Sequence, residues 1–138
     1  MLRAILELKT PIAQEFLDTI FPLTEGNPFF SSWGLGESIV GGTVTPDTFI
    51  VRKSELAITS RTIADKQHMT VSAPGGTHEV EVPRFLRAQA SLNDEQVIEM
   101  AKLTLTLEVT MEHAVDVECA YASGELYLLQ CRPITTLK

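Results

Sequence analysis

Asp116-Val117-Glu118-Cys119-Ala120-Tyr121-Ala122-Ser123-Gly124-Glu125-Leu126-Tyr127-Leu128-Leu129-Gln130-Cys131-Arg132-Pro133 is the stretch whose reading decides the fold. Two short apolar runs flank a Ser123-Gly124 turn signal, which predicts a β-hairpin with strands at 115–120 and 125–131. Strand side chains alternate between faces. Asp116, Glu118 and Ala120 are therefore expected on one face of the first strand, and Leu128, Gln130 and Arg132 on one face of the second. A turn centred near Ser123 places Glu118 opposite Leu129 or Gln130. Glu118 offers a carboxylate and Gln130 an amide oxygen, the hard donors that magnesium prefers alongside substrate phosphates. Arg132 offers a planar fork of donors that matches phosphate oxygens. On spacing alone, a surface hairpin with ordinary polar side chains is the simpler reading.

Upstream of the hairpin, 94–111 reads as the one long helix. Asn93 or Ser91 can cap it, and Asp94 and Glu95 suit its positive end. Val97, Met100, Ala101, Thr104, Leu105, Glu108 and Met111 fall at three-to-four spacing, a stripe that packs on a sheet. Between Thr43 and Val82 the pattern is β, with short strands around 49–51, 56–58, 68–71 and 78–82. Turn signals at Pro46-Asp47, Asp65-Lys66 and Pro74-Gly75-Gly76 separate them. Arg61 and Lys66 read as a solvated strand edge, with phosphate contact as the alternative. Phe29 to Trp33 reads as a strand and 11–20 as a short helix opened by Pro11. Between them, 22–28 is a loop.

The chain has 138 residues, enough for one domain or part of one, and a net charge of -7. That acidity argues against non-specific nucleic-acid binding and against an anionic membrane surface. No apolar run approaches the length that spans a bilayer. Met1 to Thr10 does not read as a signal peptide, so a cytoplasmic chain is expected, with Cys119 and Cys131 reduced. His68, His78 and His113 are scattered and form no zinc spacing.

Trp33-Gly34-Leu35-Gly36-Glu37-Ser38-Ile39-Val40-Gly41-Gly42-Thr43-Val44-Thr45-Pro46-Asp47 is glycine-rich but is neither a Walker A loop nor a dinucleotide fingerprint. By itself it reads as a tight turn. Taken in order with Asp65-Lys66, Ser91 to Gln96, Asp116-Val117-Glu118 and Leu126 to Thr136, it resembles the ATP-binding domain of the phosphoenolpyruvate synthase and pyruvate, phosphate dikinase family. Rifampicin phosphotransferases share that domain. The resemblance covers roughly Trp33 to Thr136.

The resemblance implies an α+β fold, the C-terminal subdomain of an ATP-grasp domain: a mostly antiparallel sheet with one long helix at about 93–111 and a C-terminal hairpin. It implies residues 33–138 as that subdomain and 1–32 as a divergent segment. It implies ATP and Mg2+ as ligands, with Glu118 and Gln130 on the metal-nucleotide and Arg132 on the phosphates. In the family, phosphoryl passes from ATP to a carrier histidine and on to pyruvate or another acceptor. This chain departs from the pattern. It shows no counterpart of the N-terminal ATP subdomain, the phosphohistidine motif or the substrate barrel, and Thr110-Met111-Glu112-His113-Ala114 stands where relatives carry His-Tyr-Gly-x-Pro. The expectation is a half-domain without turnover of its own. Its partners would be ATP, the missing subdomain or a phosphohistidine domain. A non-catalytic interaction module that self-associates, and a fragment of an antibiotic phosphotransferase, are the alternatives.

Overall fold

The structure is a computed structural model that describes residues 4–7, 27–35 and 44–134. Six strands form one antiparallel sheet: β1 (Ala4–Glu7), β2 (Asn27–Trp33), β3 (Asp47–Arg52), β4 (Ala57–Thr62), β7 (Val115–Ala122) and β8 (Glu125–Pro133). Their order is β4-β3-β2-β1-β7-β8. A separate hairpin, β5 (His68–Ala73) with β6 (Gly76–Glu81), makes a two-stranded sheet. Two helices complete the described residues, the single turn α1 (Arg84–Arg87) and the long α2 (Asp94–Met111). This is the mixed α/β architecture expected, with its antiparallel sheet, one main helix and terminal hairpin. The predicted helix at 11–20 lies outside the described residues. The strand at 4–7 was not expected, and the proposed boundary after residue 32 falls within β2.

The helix forms where its signals stand. Asn93 accepts from the Gln96 backbone N–H while the Gln96 side chain accepts from the Asn93 N–H, so two otherwise orphaned donors are satisfied reciprocally. Val97, Met100, Ala101 and Thr104 are buried along its inner face. They pack on Phe29, Phe49, Val51, Val115, Val117, Cys119 and Tyr121, the residues that alternate onto one side of the sheet. Burying such aliphatic and aromatic side chains contributes roughly 1.5–3 kcal/mol each. The core therefore sits between α2 and β2, β3 and β7, and Glu118 points away from it.

A second tie is polar. Asp47 and Lys66 are both fully buried and meet at 2.7 Å. Every Asp47 oxygen is occupied: Oδ1 accepts from Lys66 Nζ and the Ala64 N–H, Oδ2 from the Ser91 N–H and hydroxyl. Ser91 in turn lies 2.6 Å from the Ser31 hydroxyl. Lys66 is neither a strand-edge cation nor a phosphate ligand. It neutralises a buried carboxylate that a solvent-free interior would otherwise penalise heavily. Asp47 opens β3 instead of closing a turn, and Ser91, one of the two candidate caps, serves this cluster. Arg61 is also spoken for, by a bidentate pair with Asp94 at the start of α2.

Gly34 docks the β5–β6 hairpin against β2. Its φ is +83°, and a Cβ there would sit 2.4 Å from the Thr70 carbonyl oxygen, inside any tolerable contact. The close approach lets the Leu35 N–H donate to the same oxygen at 2.8 Å. At this end of the glycine-rich stretch, glycine shapes the subdomain. Positions 36–43 lie outside the described residues.

Candidate functional site

The site is built on the β7–β8 hairpin, and a backbone irregularity decides its geometry. Ser123 and Gly124 both have positive φ, 53° and 78°, the two-residue turn that matches strand twist. From that turn the pairs run Ala122 with Glu125, Tyr121 with Leu126, Ala120 with Tyr127 and Cys119 with Leu128. Continued regularly, Glu118 would face Leu129. A β-bulge intervenes, and Glu118 pairs with Gln130, Val117 with Cys131 and Asp116 with Arg132. The extra residue, Leu129, restores Gln130 and Arg132 to the face that Glu118 and Asp116 share. Leu128, expected on that face, pairs with Cys119 on the other.

Two polar rows result, Glu118 beside Gln130 and Asp116 beside Arg132. Glu118 is half-buried, Gln130 exposed and Asp116 buried. The Arg132 guanidinium donates to Asp116 Oδ2 at 3.0 Å while the Arg132 side chain as a whole is 59 % exposed. A buried carboxylate thus anchors one edge of the fork and leaves the other donors of Arg132 outward. Asp116 is the member of this candidate site that the sequence reading did not assign. Its signal was the same two-residue spacing that joins Gln130 to Arg132: two strands carrying polar residues at every second position pair them row by row. In the backbone, Glu7 of β1 is the neighbour of Glu118 on its other side.

Behind the polar face the environment is apolar. Burial pushes the Cys119 thiol up to about 12, with Cys131 and Glu118 adding to the same effect. Cys131 approaches Met111, sulfur to sulfur, at 3.4 Å. Both cysteines are free thiols, as expected, and Cys119 is no nucleophile. Among the described residues no three His, Cys, Asp or Glu side chains gather as a metal cage. Glu118 and Gln130 set a carboxylate beside an amide, oxygen donors of the kind that hard cations take. Among the described residues, too, no helix is long and apolar enough to cross a membrane.

Comparison with known proteins places these rows in a family. Residues 28–138 match the family described as pyruvate phosphate dikinase, AMP/ATP-binding domain. A probable phosphoenolpyruvate synthase of Methanocaldococcus jannaschii is 46 % identical over 109 residues, which is 78 % of this chain and 9 % of that protein. An uncharacterized phosphotransferase of Bacillus subtilis, YvkC, is 46 % identical over 107 residues, 78 % of this chain and 13 % of that protein. A rifampicin phosphotransferase of Streptomyces sviceus is 35 % identical over 108 residues, 78 % of this chain and 12 % of that protein. The chain thus spans a small fraction of the curated relatives it matches. The family match runs through the buried Asp47–Lys66 cluster, α2 and both polar rows of the hairpin, and the chain belongs to the pyruvate phosphate dikinase AMP/ATP-binding domain family.

Proposed function

We propose that this chain supplies one wall of a Mg-ATP site for phosphoryl transfer, as the C-terminal subdomain of an ATP-grasp domain. The observation that carries the reading is the bulge-set pairing of Glu118 with Gln130 and Asp116 with Arg132 on one sheet face. Glu118 and Gln130 would hold the magnesium ion through oxygen. Arg132 would take phosphate oxygens with the donors that Asp116 leaves outward. Bound magnesium supplies charge neutralisation at the transferring phosphoryl group. The chain's own residues hold and orient. Asp116 fixes the guanidinium before the nucleotide arrives, so less side-chain freedom is lost on binding. Glu118, Gln130, Asp116 and Arg132 hold and orient without serving as nucleophiles, in keeping with chemistry that rests on positioning and electrostatics.

Relatives named for phosphoenolpyruvate synthesis and for rifampicin phosphotransfer both match across 78 % of the chain. A stretch common to both supports an ATP-donor role for it, with the acceptor held by other regions of such proteins. The 138-residue chain is expected to bind Mg-ATP saturably but weakly, and to show no phosphoryl transfer alone. Isothermal calorimetry with Mg-ATP on wild type, Gln130→Ala and Glu118→Ala checks this. Saturable heat lost in both variants supports the reading. A wild type without saturable binding, or binding indifferent to both substitutions, overturns it.

A further inference from the structure

A different surface, the outer edge of β8, carries an inference that does not rest on nucleotide binding. β8 ends the sheet order, and no described strand pairs with its outer side. At its centre Tyr127, Leu128 and Leu129 are 47 %, 45 % and 54 % exposed. An apolar edge of this kind is a template for another strand, and natural proteins normally blunt it with charge, proline or a cover. Here the charges stand only at the two ends of the strand, Glu125 and Arg132, and the one proline, Pro133, is its last residue.

We infer that β8 pairs antiparallel with β8 of a second copy of this chain. The sequence of the strand is complementary to itself once the bulge is counted. A two-fold axis through an antiparallel pair must pass through a residue facing its own copy, because hydrogen-bonded and non-bonded pairs alternate along the ladder. With Leu129 set out of the ladder, as it already is against β7, Leu128 faces the partner's Leu128. Tyr127 then faces Gln130, Leu126 faces Cys131, and Glu125 faces Arg132, on both sides of the axis.

Every pair in that register joins residues of one sheet face. Glu125, Tyr127, Gln130 and Arg132 lie on the Glu118 face, and Leu126, Leu128 and Cys131 on the α2 face, as their pairing with β7 requires. Both charges of the strand find an opposite partner. Pro133 falls against Gly124, beyond the end of β8, where its missing N–H costs no ladder bond. Without the bulge, the pairing that joins Glu125 to Arg132 would put them on opposite faces and could not be two-fold. The same extra residue that assembles the polar rows therefore makes the edge self-complementary, and two sheets would join as one.

Sedimentation velocity of the full chain, across the micromolar range, tests this. A dimer is expected for wild type. Leu128→Lys, which sets two ammonium groups against each other on the axis, should sediment as a monomer with an unchanged circular dichroism spectrum. Glu125→Arg, which leaves Arg132 in place on Asp116, should raise the dissociation constant at least tenfold, and an equimolar mixture of Leu128→Lys with Leu128→Glu should pair again, because the axis then sets an ammonium against a carboxylate. Recovery in the mixture separates strand pairing from general stickiness of an apolar patch, and the Glu125 variant does not depend on a Leu128 variant folding. A wild-type monomer throughout, a dimer that survives Leu128→Lys, or a mixture no tighter than either Leu128 variant alone overturns the proposal.

Discussion

At the scale of single residues, the decisive pair is Asp47 and Lys66. Each is fully buried, and the pair is the most solvent-excluded charge in the described chain. The sequence offered no way to see it. The partners are 19 residues apart, Ser91 lies a further 25 beyond Lys66, and Thr45-Pro46-Asp47 satisfies every local rule for a turn. Only the tertiary fold brings the loop before β5 and the loop before α2 onto β3. Removing one member leaves the other charged and dry, which costs about 3–5 kcal/mol in comparable buried pairs. Lys66→Met is therefore expected to lower the unfolding free energy in urea titration by about that amount. Asp47→Asn combined with Lys66→Met should lose less than the sum of the two singles, because no unpaired charge is then left buried and the one amide oxygen still accepts from the Ser91 N–H. Additive losses would show that the pair does not act as a unit. Gly34 is the opposite case: its glycine was visible, but the reason, the Thr70 carbonyl 36 residues away, was not.

At the scale of elements, the long helix and the hairpin were legible because each is specified locally. The helix carries its cap, its acidic first turn and its apolar stripe within one window. The hairpin carries its turn. What alternation could not supply was the bulge, since strict period-two reading leaves Glu118 facing Leu129 and sends Gln130 to the core side. Nothing in Leu128-Leu129-Gln130 announces an extra residue; it follows from the need to keep Cys131 facing α2 while Gln130 faces away. A specific consequence follows for a deletion. Removing Leu129 shortens β8 by the one residue outside the ladder and leaves Cys119 with Leu128 and Glu118 with Gln130 as regular neighbours. The shortened chain should fold, with a thermal midpoint no lower than wild type by circular dichroism. Deleting Cys131 instead should lower the midpoint by several degrees, because every later residue changes face. Equal damage from both deletions would mean that the bulge is not where the register places it.

At the scale of the molecule, the sheet holds together as one unit around α2, and the α2 side of β7 is a dry core. The strand order was not readable from sequence: β1 enters between β2 and β7, and only pairing partners distant in the chain reveal that. That dry core has a pH signature. Tyr121 and Cys119 lie on the α2 side of β7, and both are pushed up. For Cys119 the cause is burial first, then Cys131 and Glu118, and its pKa reaches about 12. For Tyr121 it is burial first, then the hydrogen bond to Glu99 at 2.6 Å. The sign is fixed by linkage: below pH 9 the thiol is neutral in both folded and unfolded chains, and its full contribution to stability is present. As pH rises from the ordinary thiol value of 9.0 toward about 12, the unfolded chain ionises and the folded one does not. Stability is lost across that window, by at most about 1.4 kcal/mol per pH unit for one group. Urea midpoints measured from pH 7 to pH 11 should be flat to about 9 and fall above it. Cys119→Ala, whatever its cost at neutral pH, should make the alkaline fall shallower, because it removes a proton that only the unfolded chain gives up. An unchanged alkaline slope in that variant would show that the thiol is not held in the dry core that the packing of β7 on α2 creates.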